Sequence, residues 1–134
     1  MNLENQRELK LMITTKQWDQ EAEPIETKMV IDAISGTSDG VKVLIYDIEE
    51  SLNVLMITDN YVKLVKSGDV EADMTFAAQK MTEVVFSAAG RKLLFEAYTK
   101  ECKTFENGTW LDIKYILLSE GQAVSEYELN IREI

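Results

Sequence analysis

Five polar side chains fall on otherwise apolar faces in this chain: Thr27, Thr99, Tyr115, Ser125 and Tyr127. Tyr115 falls in step with Leu111, Ile113 and Leu117, and Tyr127 with Ser125, Leu129 and Ile131. A small-molecule site needs such groups. Its apolar walls supply affinity, and a few polar atoms fix the ligand's orientation. The competing reading is plainer: a buried tyrosine packs its ring and sends its hydroxyl to a backbone carbonyl or to the rim. We take Thr27, Thr99, Tyr115 and Tyr127 as the ligand-binding candidates.

Other chemistry is poorly supplied. The chain has no histidine and one cysteine, Cys102. That removes His-based triads, His-ligated haem and most zinc sites. Neither Gly-rich phosphate-loop pattern occurs, and no EF-hand spacing does. Asp69, Glu71 and Asp73 have a spacing that suits a hard cation. They alternate with Val70, Ala72 and Met74, however, so they are read as a solvated face. Asp47, Glu49 and Glu50, at a strand end, read the same way. By alternation Cys102 falls on the side of Tyr98. Its neighbours Lys100 and Lys103 lower a thiol's pKa where they approach it, but a nucleophile also needs a positioned base, and none is found. The expectation is therefore a protein that is not an enzyme, with no catalytic residue, metal or cofactor. None of Arg7, Arg91 and Arg132 is read on an apolar face. This weighs against fatty-acid capture, because the arginine fork is the usual partner of a carboxylate.

The elements that must position these residues are strands. Apolar and polar residues alternate nearly everywhere, as in half-buried antiparallel strands. Clear cases are Leu9, Leu11 and Ile13, then Ile25, Met29, Ile31 and Ala33, and then Val70, Ala72, Met74 and Phe76. Val41, Val43 and Ile45 form a run beside Leu44 and Tyr46, and Leu52, Val54 and Met56 form one beside Leu55 and Ile57. Turn signals separate the runs: Ser35-Gly36, Asp39-Gly40, Asp59-Asn60, Ser67-Gly68-Asp69, Ala89-Gly90, Asn107-Gly108 and Glu120-Gly121. Asn107-Gly108 is the strongest hairpin mark, since a type I′ turn needs positive φ at both positions. The sole proline, Pro24, starts a strand, where its missing N–H does least harm. Residues 76–85 contain good helix formers without clear caps. They are read as two strands joined by a bend at 77–80, with a short helical turn as the alternative. About ten short strands without crossover helices predict an all-β protein. The expected form is a single antiparallel up-and-down β-barrel of about 8–10 strands.

At 134 residues the chain is long enough for one domain, 1–134, with one sizeable core. Its net charge is −10 and it lacks a Lys/Arg cluster. Neither nucleic acid nor an anionic membrane is expected as a partner. No apolar run reaches the ~20 residues of a membrane helix. MNLENQRELK lacks the apolar centre of a signal peptide. A lone cysteine suits a reducing compartment. The expected location is the cytoplasm.

Two segments carry a resemblance. VKLVKSGDVEADMTF, at 62–76, contains a basic-x-Gly turn at Lys66-Ser67-Gly68, followed by an M-x-F strand at Met74-Thr75-Phe76. Residues 81–118 contain a long hairpin whose second strand carries Thr99, and then I-x-Y at Ile113-Lys114-Tyr115. From about residue 10 to the C-terminus the chain resembles the YwiB-like family of small bacterial lipocalin-like (calycin-type) β-barrel proteins, a domain of unknown function. The resemblance implies a barrel and brings no catalytic residues. The chain departs from the family pattern in having Lys66 where arginine is more usual. It also has Val85 and Phe86 where a tyrosine precedes the turn at Gly90.

Two functions fit these expectations. One is a module that holds a small, mostly apolar molecule in the barrel's mouth or interior. The other is a filled barrel that acts through its outer surface or by homodimerisation. Trp18, Trp110 and Tyr98, on predominantly polar faces, support the second.

Overall fold

The computed structural model describes residues 3–19, 23–105 and 109–134. The alternating runs become ten strands: β1 (Glu4–Asp19), β2 (Ile25–Ser38), β3 (Val41–Ile48), β4 (Ser51–Ile57), β5 (Val62–Gly68), β6 (Val70–Phe76), β7 (Met81–Ala88), β8 (Arg91–Thr104), β9 (Thr109–Ser119) and β10 (Gln122–Glu133). Each pairs antiparallel with its neighbours in sequence, and β1 pairs with β10 to close the barrel. Closure leaves no open sheet edge to protect along the paired length. Residues 76–85 form strand ends around a turn, as the bend reading anticipates.

The turns sort into two ends. Asp39-Gly40, the loop before Val62 and the 77–80 turn lie at the lower end, with the start of β1 and the end of β10. The turns at 49–50, 89–90 and 120–121 lie at the upper end. Asp39, Ala89 and Glu120 have positive φ and precede glycines that do too, the requirement for tight hairpin turns. The turn at 49–50 uses two glutamates instead, with φ of 49° and 64°. No glycine or asparagine signals this turn in the sequence. Asn107-Gly108 lies outside the described residues.

Ser35-Gly36 is a correction: it sits inside β2 and does not turn. A Cβ on Gly36 would lie 2.9 Å from the Glu4 carbonyl oxygen. The glycine marks a close backbone approach, the other use of glycine in a strand.

The lower half of the barrel is filled. Leu11, Leu44, Leu55, Phe76, Leu111 and Ile131 are almost completely buried there. Each such side chain contributes roughly 1.5–3 kcal/mol by leaving water. The faces of β3 and β4 correct the sequence reading. Pairing of Ala33 with Tyr46 and of Ser35 with Leu44 turns Leu44 and Tyr46 inward, rather than the Val41–Val43–Ile45 series. In β4 the inner series is Ser51, Asn53, Leu55 and Ile57. Both strands are apolar on both faces, so alternation alone does not choose between them. Val43 is as buried as Leu44.

Candidate functional site

Along β1 the inner series runs Leu9, Leu11, Ile13 and then changes to Thr15 and Gln17. The same change occurs around the upper half, where Asn53 and Ala72 replace the bulky residues below. Small and polar side chains leave the upper interior unfilled. The result is a cavity of about 340 Å³, open at the top. That is toward the small end of the ~300–1,000 Å³ range of ligand pockets. Ile13, Leu64, Met74, Phe86, Leu117 and Leu129 supply its apolar wall. Above it, Ile25, Val70 and Leu93 continue the inner series of their strands, and all three are exposed. They give the mouth an apolar rim. A second hollow of about 820 Å³ lies on the outer surface across β1, β2 and β3, among Glu8, Lys10, Asp32 and Asp47. It is a groove between charged side chains rather than an interior space.

Three of the four candidate residues come together. Thr99 pairs with Tyr115, and Tyr115 pairs with Tyr127. The tyrosine rings stack with centroids 5.0 Å apart and planes 15° from parallel. Phe76 packs on Tyr115 from below at 4.7 Å. Ser125 Oγ donates a hydrogen bond to the Tyr127 hydroxyl at 3.0 Å. Tyr115 and Tyr127 line the cavity. Thr99 is fully buried below that wall, and its Oγ1 has no hydrogen-bond partner among the described residues. Thr27 is set apart. It pairs with Thr15 on a stretch of β2 that continues beyond the last β2–β3 pair at Ala33, and it is exposed.

Among the cavity residues absent from the sequence reading of the site are three in one row, Tyr46, Asn53 and Lys66. Tyr46 stands across from Asn53, and Asn53 across from Lys66, in one row over β3, β4 and β5. All three line the cavity. Tyr46 and Asn53 were concealed by the ambiguous faces of β3 and β4. Lys66 was readable: it continues the inner series of Val62 and Leu64. Asn53 Nδ2 donates to the Ser51 carbonyl at 3.2 Å. Burial pushes the Tyr46 and Tyr115 phenols well above the ordinary tyrosine range, with a smaller push on Tyr115 from Tyr127. Both hydroxyls stay neutral at physiological pH and serve as hydrogen-bonding groups, not bases.

Two further readings are corrected. Cys102 does not lie on the Tyr98 side. A β-bulge between Thr99 and Glu101 shifts the register, so Cys102 faces Ile113 and packs against the core. Burial there pushes the thiol pKa up, away from the reactive thiolate. Arg7 does stand in an inner series, across from Ser35 at the lower end. It donates to both carboxylate oxygens of Glu133, at 2.7 and 2.9 Å. The Arg7 bond is the main cause that holds the Glu133 carboxyl below its usual range. Arg7 is therefore far from the cavity, whose interior cation is Lys66. Among the described residues no group of three or more metal-ligating side chains occurs, and no helix is long and apolar enough to cross a membrane.

Trp18, Glu126, Ile116, Tyr98 and Met81 form a row of paired positions across the outside of β1, β10, β9, β8 and β7. Trp110 is not part of it. It packs against the core near the lower end, beside Glu133.

A closed antiparallel barrel, filled at one end and hollow at the other, defines the class: a lipocalin-like β-barrel. The chain belongs to the family described as a domain of unknown function (DUF1934), whose model matches residues 10–131. The fold is similar to the crystal structure of the ywiB protein from Bacillus subtilis, with a TM-score of 0.81 over 98% of this chain and 95% of that chain. The two are 12% identical, so this similarity speaks for the fold alone. No curated protein matches the chain by sequence.

Proposed function

We propose that this barrel is a cytoplasmic binding module that holds a small, mostly apolar molecule in its upper interior. The observation that carries the reading is the cavity of about 340 Å³ beneath an apolar rim. An interior space with aromatic and aliphatic walls and a few polar groups is the general form of a ligand site. Tyr115 and Tyr127 form one wall, and Thr27 stands near the mouth beyond it. Thr99 shapes the floor through Tyr115. The reading is of a carrier or sensor rather than an enzyme. It rests on the lack of histidine and on the upward shift of the Cys102 thiol.

Native mass spectrometry on protein purified from its own host tests this. A small mass retained at one per chain supports it. A ligand-free dimer favours the second reading, self-association through the outer row of Trp18, Ile116, Tyr98 and Met81. That row is the observation in favour of this alternative: Met81 is 48% exposed, and the other three are half-buried.

A further inference from the structure

Resting on the binding-module reading, the geometry points to a narrower ligand class. We infer that the occupant is an amphiphilic anion whose acid group is held by Lys66, Asn53 and Tyr46. Its apolar tail lies along the Tyr115–Tyr127 wall.

The three groups are consecutive partners across β3, β4 and β5. They bring an ammonium, an amide N–H and a phenol O–H to neighbouring positions on the cavity wall. The Lys66 ammonium has no ion pair or hydrogen bond among the described residues. Neither has the Tyr46 hydroxyl. Asn53 commits one amide N–H to Ser51 and keeps the other. Three donors carrying one positive charge, which no ion pair among the described residues answers, suit an anion.

The nearby carboxylates do not answer Lys66. Glu128 borders the cavity but forms an ion pair with Lys114 at 3.7 Å. Glu49 and Glu50 lie in the exposed turn above and do not line the cavity. The rest of the wall is apolar enough to hold a tail. Its volume of about 340 Å³ equals that of about eleven liquid waters, which suits a chain of octanoate's length. Asn53 is 2% exposed and Tyr46 5%, so two of the donors act where water competes little.

The test compares octanoate with 1-octanol by calorimetric titration at neutral pH. The two share a tail and differ in the headgroup. Wild type is expected to bind octanoate about tenfold or more tighter than octanol, the effect of one charge-assisted hydrogen bond. Lys66→Gln is expected to bring octanoate down to the level of octanol and leave octanol binding unchanged. Lys66→Arg, which keeps the charge, retains the preference and shows that the position tolerates change. Equal binding of the two ligands, or an octanoate preference that survives Lys66→Gln, overturns the inference while the binding module stands. Failure of both ligands to bind wild type overturns the inference and the binding reading together.

Discussion

Tyr115 and Tyr127 face each other on paired positions of β9 and β10, with rings 5.0 Å apart and nearly parallel. The stacked rings form one wall of the hollow, and Phe76 packs on Tyr115. The worth of the stack can be isolated from simple burial. A double-mutant cycle with Tyr115→Leu and Tyr127→Leu is expected to show a coupling of about 1 kcal/mol in urea unfolding. Additive losses would mean that the rings are adjacent without stabilising each other.

The two halves of the barrel differ in how they respond to truncation. Leu111 is fully buried among packed neighbours, while Leu64 borders the cavity. Leu111→Ala is expected to cost about 3–4 kcal/mol, because it creates a new void in a filled core. Leu64→Ala removes the same atoms from a wall that already meets open space, so a loss of only about 1 kcal/mol is expected. Equal losses in chemical denaturation would mean that the upper half is packed too.

These halves show which parts of the molecule the sequence discloses. Strands such as β6 are polar on one face, and there alternation identifies the inner residues. In β3 and β4 both faces are apolar, so the parity is hidden, and Tyr46 and Asn53 are hidden with it. A bulge is equally silent. One extra residue near Lys100 turns Cys102 from the outer face to the inner one. Thr99, Tyr115 and Tyr127 were legible because each interrupts an unambiguous apolar series. Whether a series encloses side chains or a cavity depends on residue sizes from several strands at one height, which no single run displays. Lys66 follows Val62 and Leu64 in the inner series and was legible in principle. It also belongs to the turn signal Lys66-Ser67-Gly68, although it lies inside β5, before the turn.

The turn between β3 and β4 is strained. Glu49 and Glu50 both occupy positive φ, and neither is a residue that favours it. It also packs closely: a Cβ on Gly68 would clash with the Glu50 carbonyl oxygen. Replacing the pair by Asn-Gly is expected to stabilise the protein by about 1–2 kcal/mol, seen as a higher urea midpoint. The double variant Glu49→Asn/Glu50→Gly should keep the same m-value. A fall in stability would mean that the two carboxylates contribute more than the backbone strain removes.

Alkaline stability should follow the buried phenols. The folded pKa values of Tyr46 and Tyr115 lie above the unfolded value because burial disfavours the phenolate. Above about pH 10 the unfolded chain releases these protons and the folded chain keeps them, so stability falls as pH rises. Each group contributes a slope of up to about 1.4 kcal/mol per pH unit in that window. Below the window the contribution is fully present. Tyr46→Phe is expected to flatten the alkaline decline in a series of urea melts. An unchanged slope would show that this phenol ionises as freely in the folded protein as in the unfolded one.

The most direct test of the hollow upper half is calorimetric titration of 1-octanol into wild type and into Ala72→Leu. Ala72 lines the cavity and is 6% exposed, so the larger side chain has the open space to enter. Saturable one-to-one binding to wild type is expected, and its loss in a variant at least as stable as wild type. No saturable binding to wild type, or a destabilised Ala72→Leu that binds octanol as before, would contradict a hollow upper half.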